Sequence, residues 1–298
     1  MKLLFCEDTL NSNNVDTAFI EEYEAAKNND FYVLLYNFEK KLLRKKKANN
    51  ETEIIIYRGW MINPTEYKIL YDDLLAKNYR LINNPIEYQN CHYLPDSLKF
   101  IEKYTPKTIF QKIENKNDVD ILVEKTKIFN GNSVIVKDYI KSEKHYWDTA
   151  CFVANSNDKI KLTMIINNLI ELRGDYLNEG IVVREYIELN NLTKHSKSGM
   201  PLSEEYRLFF YKNELLCIFN YWDEGDYNIE KPNTKHFEEI AKGIKSNFFT
   251  MDIAKDKNGN FIIIELGDGQ MAGIPEKEDK DLFYRKLYAI SIDIAVKD

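Results

Sequence analysis

The first third of the chain alternates short apolar runs with longer amphipathic ones, and that alternation leaves few folds open. "KLLFC", "FYVLLYNF", "EIIIYRG" and "YRLIN" have the length and residue types of strands. "VDTAFIEEYEAAKNN", "EKKLLRKKKA" (39–48) and "PTEYKILYDDLLAKN" have helical spacing, the last opened by Pro64. Strands alternating with helices of this size predict βαβ units and parallel pairing. The basic run "KKLLRKKK" (40–47) then falls at a helix C-terminus, where cations are favoured, and is expected to be a solvated helix end. A connection follows, "YQNCHYLPDSLKFIEKYTPKTIF"; its Pro95 and Pro106 put a domain boundary near residue 105.

Beyond the connection, "NDVDILVEKTKIF" and "DKIKLTMIINNLIELRG" predict helices flanking the strand "NSVIVKDYI". From residue 180 the pattern turns β-rich, with "GIVVREYIEL", "EEYRLFFY", "ELLCIFNYW", "FFTMDIA" and "NFIIIEL". The helix "HFEEIAKGIKSN" interrupts these strands, and a last helix covers about 279–296. The expected class is α/β (α+β) in three parts, 1–105, 106–180 and 181–298. At 298 residues and 44% apolar content there is material for more than one core.

The net charge of −7 argues against a dedicated duplex-binding protein. Cys6, Cys91, Cys151 and Cys217 are scattered, with no C-x-x-C pair, and Cys91-His92 has no second pair at ligand spacing. The start, "MKLLFCEDTL", is too short and too soon acidic for a signal peptide, and no apolar run approaches a membrane span. A reducing cytoplasm is the expected compartment, and nothing fixes the oligomeric state.

Chemistry concentrates where strands end in charge. Asp252 lies inside "FFTMDIA", Glu265 ends "NFIIIE", and the turn "KDKNG" folds the two strands into a hairpin, so both carboxylates are expected at one end. Clustered carboxylates repel unless a cation separates them. Hard ions such as Mg²⁺ take such oxygens and complete their shell with phosphates. Asp268, between Gly267 and Gly269, is either a third ligand or the cap of a tight turn. Lys137 ends "SVIVK", Lys141 and Lys144 follow, and Arg184 and Arg207 lie within apolar strands, where an unpartnered cation is costly. Cations and strand-end carboxylates together suggest a polyphosphate–metal site. The bland alternative pairs Arg184 and Arg207 with Glu185, Glu204 or Glu205.

The spacing D-x₁₂-E in "DIAKDKNGNFIIIE", ending a hairpin before a glycine-rich loop, resembles the metal-binding hairpin of the ATP-grasp superfamily. "VKDYIKS…HYW", "VREYIEL", "PLSEEYRLFF", "YW" and "ELGDGQMAGIP" together are similar to its clade named for two arginines and one lysine, over roughly residues 53–276. The resemblance implies a pre-ATP-grasp domain, a small central lobe and a C-terminal lobe, mostly antiparallel, with nucleotide held between the last two. It implies adenine against the main chain of Glu185, Tyr186 and Ile187, with Glu205 on the ribose. Lys137, Lys141, Arg184 and Arg207 would address phosphates, and Asp252, Glu265 and Asp268 the Mg²⁺ (or Mn²⁺). Arg58 and Trp60, with Trp222, would face substrate. The family's usual glycine-rich flap is replaced by "DYIKSEKHYW", and its usual metal Asn by Gly267. The implied chemistry is ATP-driven joining of a carboxylate to an amine of an amino acid, peptide or protein terminus, through an acyl phosphate.

Two rivals stand beside it. "EGIVVRE" also resembles a strand of covalent nucleotidyltransferases, but reading back three positions from all 11 glycines finds no K-x-x-G lysine. A nucleotide-binding pseudoenzyme could use the same fold, since fold alone does not establish function.

Overall fold

The computed structural model describes residues 1–44, 51–197, 199–227 and 231–297. The chain forms two compact units, one from 1–91, 192–252 and 266–298, the other from 92–191 and 253–265.

The first unit begins with β1 (Lys2–Cys6), α1 (Ile20–Asn28), β2 (Tyr32–Asn37), β3 (Leu42–Leu43), β4 (Glu53–Arg58), α2 (Pro64–Leu75) and β5 (Tyr79–Leu81). The strands lie in the order β3-β2-β1-β4-β5, and only β3 pairs antiparallel. Successive side chains of a strand point to opposite faces. Leu3, Phe5 and Ile56 accordingly pack with Ala25 and Ala26 of α1, while Leu4, Cys6 and Ile55 pack with Tyr67, Leu70 and Leu74 of α2. Both faces are covered, which is why these strands read as continuous apolar runs. Asn63 and Glu66 close a capping box at the start of α2, with Pro64 in its first turn.

Two expectations are corrected. The helix over 39–48 is not formed where it is described: residues 39–41 turn, with Lys41 at φ 47, and Leu42–Leu43 return as β3; residues 45–47 of the basic run lie outside the described residues. The connection after residue 84 is helical, as α3 (Pro85–His92) and α4 (Leu94–Ile101), because Pro85 and Pro95 sit in first turns where proline's missing N–H costs nothing.

The second unit contains β6 (Thr108–Lys112), α5 (Asn117–Lys125), β7 (Val134–Asp138), β8 (Phe152–Val153), α6 (Lys159–Arg173) and β9 (Gly180–Glu185). Its antiparallel sheet runs β6-β9-β7-β8. Val134 and Val136 with Ile181 and Val183 face α5 and α6. By alternation Lys137 and Arg184 lie on the opposite face, where Lys137 pairs in register with Val182 and Ile135 with Arg184.

The remaining strands are β10 (Asn191–Lys194), β11 (Pro201–Ser203), β12 (Glu205–Tyr211), β13 (Glu214–Asn220), β14 (Phe248–Lys255) and β15 (Phe261–Asp268). Helix α7 (Lys235–Ala241) precedes β14, and α8 (Lys280–Lys297) closes the chain. β13-β12-β14-β15 form one sheet. No helix among the described residues is long and apolar enough to cross a membrane.

Candidate functional site

In the second unit the face of the sheet opposite α5 and α6 gathers three of the expected residues. Lys137, 8% exposed at the end of β7, places its ammonium 3.1 Å from Oε2 of Glu265. Arg184, also buried, donates to the main-chain carbonyls of Ile264 (2.5 Å) and Ile263 (3.2 Å) and to the Thr105 hydroxyl. Burial pulls the Arg184 guanidinium down to about 10 against the opposing pull of Glu265. Arg184 therefore fastens the strand that carries Glu265, and its Nε is buried without a hydrogen-bond partner.

Lys141 follows on an exposed turn whose own N–H donates to Asp138. At the end of β9 the Glu185 N–H donates to Lys107 O at 2.8 Å and the Tyr186 N–H to Ser133 O at 2.9 Å. An adenine contact on this segment thus falls to the other main-chain groups of 185–187. Glu185 accepts from Asn132 at 2.7 Å, and the Tyr186 ring meets Trp147 and Phe152 edge-on at 5.9 and 5.2 Å.

In the first unit Arg207 grips Asp252 through Nε–Oδ1 (2.9 Å) and Nη2–Oδ2 (2.8 Å). Its Nη1 donates to Gly273 O at 3.0 Å, and the guanidinium carbon lies 4.8 Å from the Tyr221 ring centroid. Glu205, buried, accepts from the Ser203 hydroxyl. Trp222 packs edge-on to Tyr221 at 4.8 Å, with its indole N–H buried and unpartnered.

The glycine-rich loop after β15 holds protein rather than ligand. Asp268 is 2% exposed; its Oδ2 accepts from Asn83 at 2.6 Å, and its Oδ1 from the N–H (3.0 Å) and side chain (3.2 Å) of Gln270. Burial raises its carboxyl to about 7 despite those donors. Gln270 in turn accepts from the Tyr57 N–H and donates to Tyr67, pinning the loop to β4 and α2. Arg58, 1% exposed, completes the fastening. Its guanidinium binds Glu22 through Nε and Nη2, each at 2.9 Å, and the carbonyls of Gly269 (2.5 Å) and Ala272 (2.9 Å).

Arg58, 1% exposed, therefore has four of its five N–H donors on protein, and Asp268 has both oxygens engaged. Trp60 leans on Phe38 at 5.7 Å. A side chain at 267 is sterically barred, because a Cβ there would lie 2.6 Å from Thr250 Oγ1.

Among the described residues no three His, Cys, Asp or Glu side chains are grouped as a metal site. Asp252 and Glu265 are each, by chemistry, a carboxylate of the kind Mg²⁺ takes, since that ion often takes only one or two from the protein and fills its shell with water and phosphate. Sequence reasoning missed Tyr221, Asn83, Gln270 and Arg173. The one readable signal was Asp138, an Asp directly after a strand, which favours a turn closed by its own carboxylate.

No curated protein sequence matches the chain. Among solved structures the fold is similar to D-cycloserine synthetase DcsG, at 10% identity and TM-score 0.60 over 97% of this chain and 99% of that one. It is also similar to the D-alanine–D-alanine ligase from Bacillus anthracis solved with ATP, at 14% identity and TM-score 0.59 over 100% and 99%. The macrocyclase MdnC from Microcystis aeruginosa, solved with its precursor peptide, matches at 11% identity and TM-score 0.54 over 97% and 100%. At these identities the likeness shows the fold, which is that of the ATP-grasp ligases. The sequence pattern of the ATP-grasp domain, R2K clade family 3, matches residues 129–287, more than half the chain, and the protein belongs to that family.

Proposed function

We propose that this protein is an ATP- and Mg²⁺-dependent ligase joining a carboxylate to an amine through an acyl phosphate, with release of ADP and phosphate. The observation that carries the reading is the pair of cation–carboxylate contacts, Lys137 with Glu265 and Arg207 with Asp252, which lie within the stretch that matches the family and resemble the superfamily's phosphate and metal positions in sequence.

In this reading Lys137, Lys141 and Arg207 hold the terminal phosphoryl group in line with the attacking carboxylate, so that positioning and charge neutralisation supply most of the acceleration. Asp252 and Glu265 hold Mg²⁺, which neutralises charge on the phosphate oxygens as the bond to ADP breaks. Arg184 acts at one remove, fixing the main chain that bears Glu265. Glu205 takes the ribose hydroxyls, and main-chain groups of 185–187 take adenine. The acceptor is an amino acid, a peptide or a protein terminus, with Trp222 and Trp60 the remaining aromatic candidates for its contact.

Phosphate release by the purified protein against pools of amino acids and peptides tests the activity, and α-labelled ATP tests the bond that breaks. Label recovered in ADP is expected. Label in AMP or on denatured protein would revive nucleotidyl transfer, and nucleotide binding without turnover on any pool would favour a non-catalytic binding role.

A further inference from the structure

The segment 138–144 stands where a glycine-rich phosphate loop would be expected, and its hydrogen bonds show how it is built. Asp138, fully buried at the end of β7, accepts on Oδ1 from the N–H groups of Ile140 (2.7 Å) and Lys141. The turn is closed again by the Asp138 N–H on Lys141 O at 2.8 Å. The N–H groups of Ile140 and Lys141 are spent on this carboxylate, so at these two positions the turn offers an anion the Lys141 side chain rather than main-chain donors.

The turn is anchored from outside by Arg173 and Asn178. Arg173, the last residue of α6, sends Nε to Asp138 Oδ2 at 3.1 Å and Nη1 to Glu143 Oε1 at 3.3 Å. Its Nη2 donates to Tyr176 O at 2.9 Å, and Asn178 adds a second donor to Asp138 at 2.8 Å. A planar guanidinium can hold two carboxylates in fixed directions, which a lysine ammonium cannot. The two carboxylates bracket Lys141. Gly174, at φ 48, ends the helix at this point and turns the chain toward Tyr176.

We propose that Arg173 is a positioning residue for polyphosphate binding: by clamping Asp138 and Glu143 it fixes the turn that presents Lys141. The inference rests on the nucleotide-binding reading above and adds to it a residue that touches no nucleotide.

The test is direct binding of ATP and of AMP, both with Mg²⁺, to the purified full chain. Arg173→Ala is expected to weaken ATP by about tenfold, about 1.4 kcal/mol, and to leave AMP unchanged. Lys141→Ala should do the same, and the double variant should be no worse than Lys141→Ala alone, since both remove one interaction. Should Arg173→Ala fail to fold, Glu143→Gln keeps the buried Asp138 contact, and about a threefold loss confined to ATP is expected. Equal losses for ATP and AMP, or independent effects that multiply in the double variant, would overturn the clamp. A wild-type chain with no affinity for ATP would overturn the nucleotide reading itself, and the clamp with it.

Discussion

Arg207 covers both oxygens of Asp252, at 2.9 and 2.8 Å, and its guanidinium carbon lies 4.8 Å from the centre of the Tyr221 ring. The pair is mostly buried, with 17% of the arginine side chain and 4% of the aspartate side chain exposed. Removing either partner leaves the other a largely buried charge without this counterion. Arg207→Ala is therefore expected to cost about 3–5 kcal/mol of stability. It should also lower turnover by about 10²–10³, the usual loss for a contact made mainly in the transition state. Arg207→Lys cannot span both oxygens and the Gly273 carbonyl, and should restore only part of either. Urea titration beside a phosphate-release assay separates the two effects. An unchanged urea midpoint in Arg207→Ala would contradict the buried-pair assignment.

Arg58 makes a different prediction from the one its sequence context suggests. Wedged among Glu22, Gly269 O and Ala272 O, it joins α1 to the loop after β15, and Glu22 is held besides by the Tyr284 hydroxyl at 2.6 Å. Arg58→Ala is expected to destabilise the fold by about 3–5 kcal/mol through the carboxylate it abandons. Glu22→Gln keeps acceptor and shape and should cost less. In thermal melts Arg58→Ala should fall well below Glu22→Gln. If it instead melts like wild type and loses only substrate affinity, Arg58 belongs to the substrate after all.

The contrast shows what was legible in the residues. Strand–helix alternation made the parallel sheet legible because short continuous apolar runs alternate with longer amphipathic segments, as strands buried on both faces by helices require. Proline misled at 95, since the same residue that breaks a helix interior also opens a first turn. The short return Leu42–Leu43 was invisible because two adjacent leucines carry no period. At the site, residue type revealed which groups carry charge but not how they pair: Arg207, set against Glu185, Glu204 or Glu205 in the bland alternative, meets Asp252, Arg184 meets main-chain carbonyls, and Lys137 meets Glu265. The destination of a long side chain was not legible either. Arg58 and Asp268 both sit at strand ends beside glycines, as ligand-binding residues do. Only the tertiary fold, bringing Glu22 and Asn83 to them, spends their hydrogen-bonding capacity on protein.

Asp268 gives stability a pH dependence of definite sign. Burial raises its carboxyl to about 7 from 3.8, so between about pH 4 and 7 the folded state holds a proton that the unfolded state has released. The contribution is complete below about pH 4 and is lost as pH rises through 7. It amounts to on the order of 2–4 kcal/mol, the upper end being the full shift at 1.36 kcal/mol per pKa unit. Asp268→Asn cannot ionise and should lack this component. Urea midpoints of the two proteins from pH 4.5 to 8 would show it as a slope present only in wild type. Parallel curves would mean that Asp268 is charged throughout.

In the proposed site, Lys137 and a divalent ion would compete for the same carboxylate. The Lys137 ammonium sits 3.1 Å from Glu265 Oε2, on a side chain 35% exposed, so an ion arriving at Glu265 must displace or repel it. A unit charge at such a distance in a wet environment is worth about 1 kcal/mol, or about fivefold in affinity. Lys137→Met should therefore tighten Mn²⁺ binding about fivefold in the absence of nucleotide, as read by electron paramagnetic resonance. Glu265→Gln should weaken it whether or not Lys137 is present. With ATP added the order reverses for Lys137, because its charge then helps to neutralise the triphosphate, and Lys137→Met should bind ATP more weakly than wild type. The opposed signs, tighter metal and weaker nucleotide from one substitution, are what a purely structural ion pair would not give. Looser Mn²⁺ binding in Lys137→Met would remove Glu265 from the metal site.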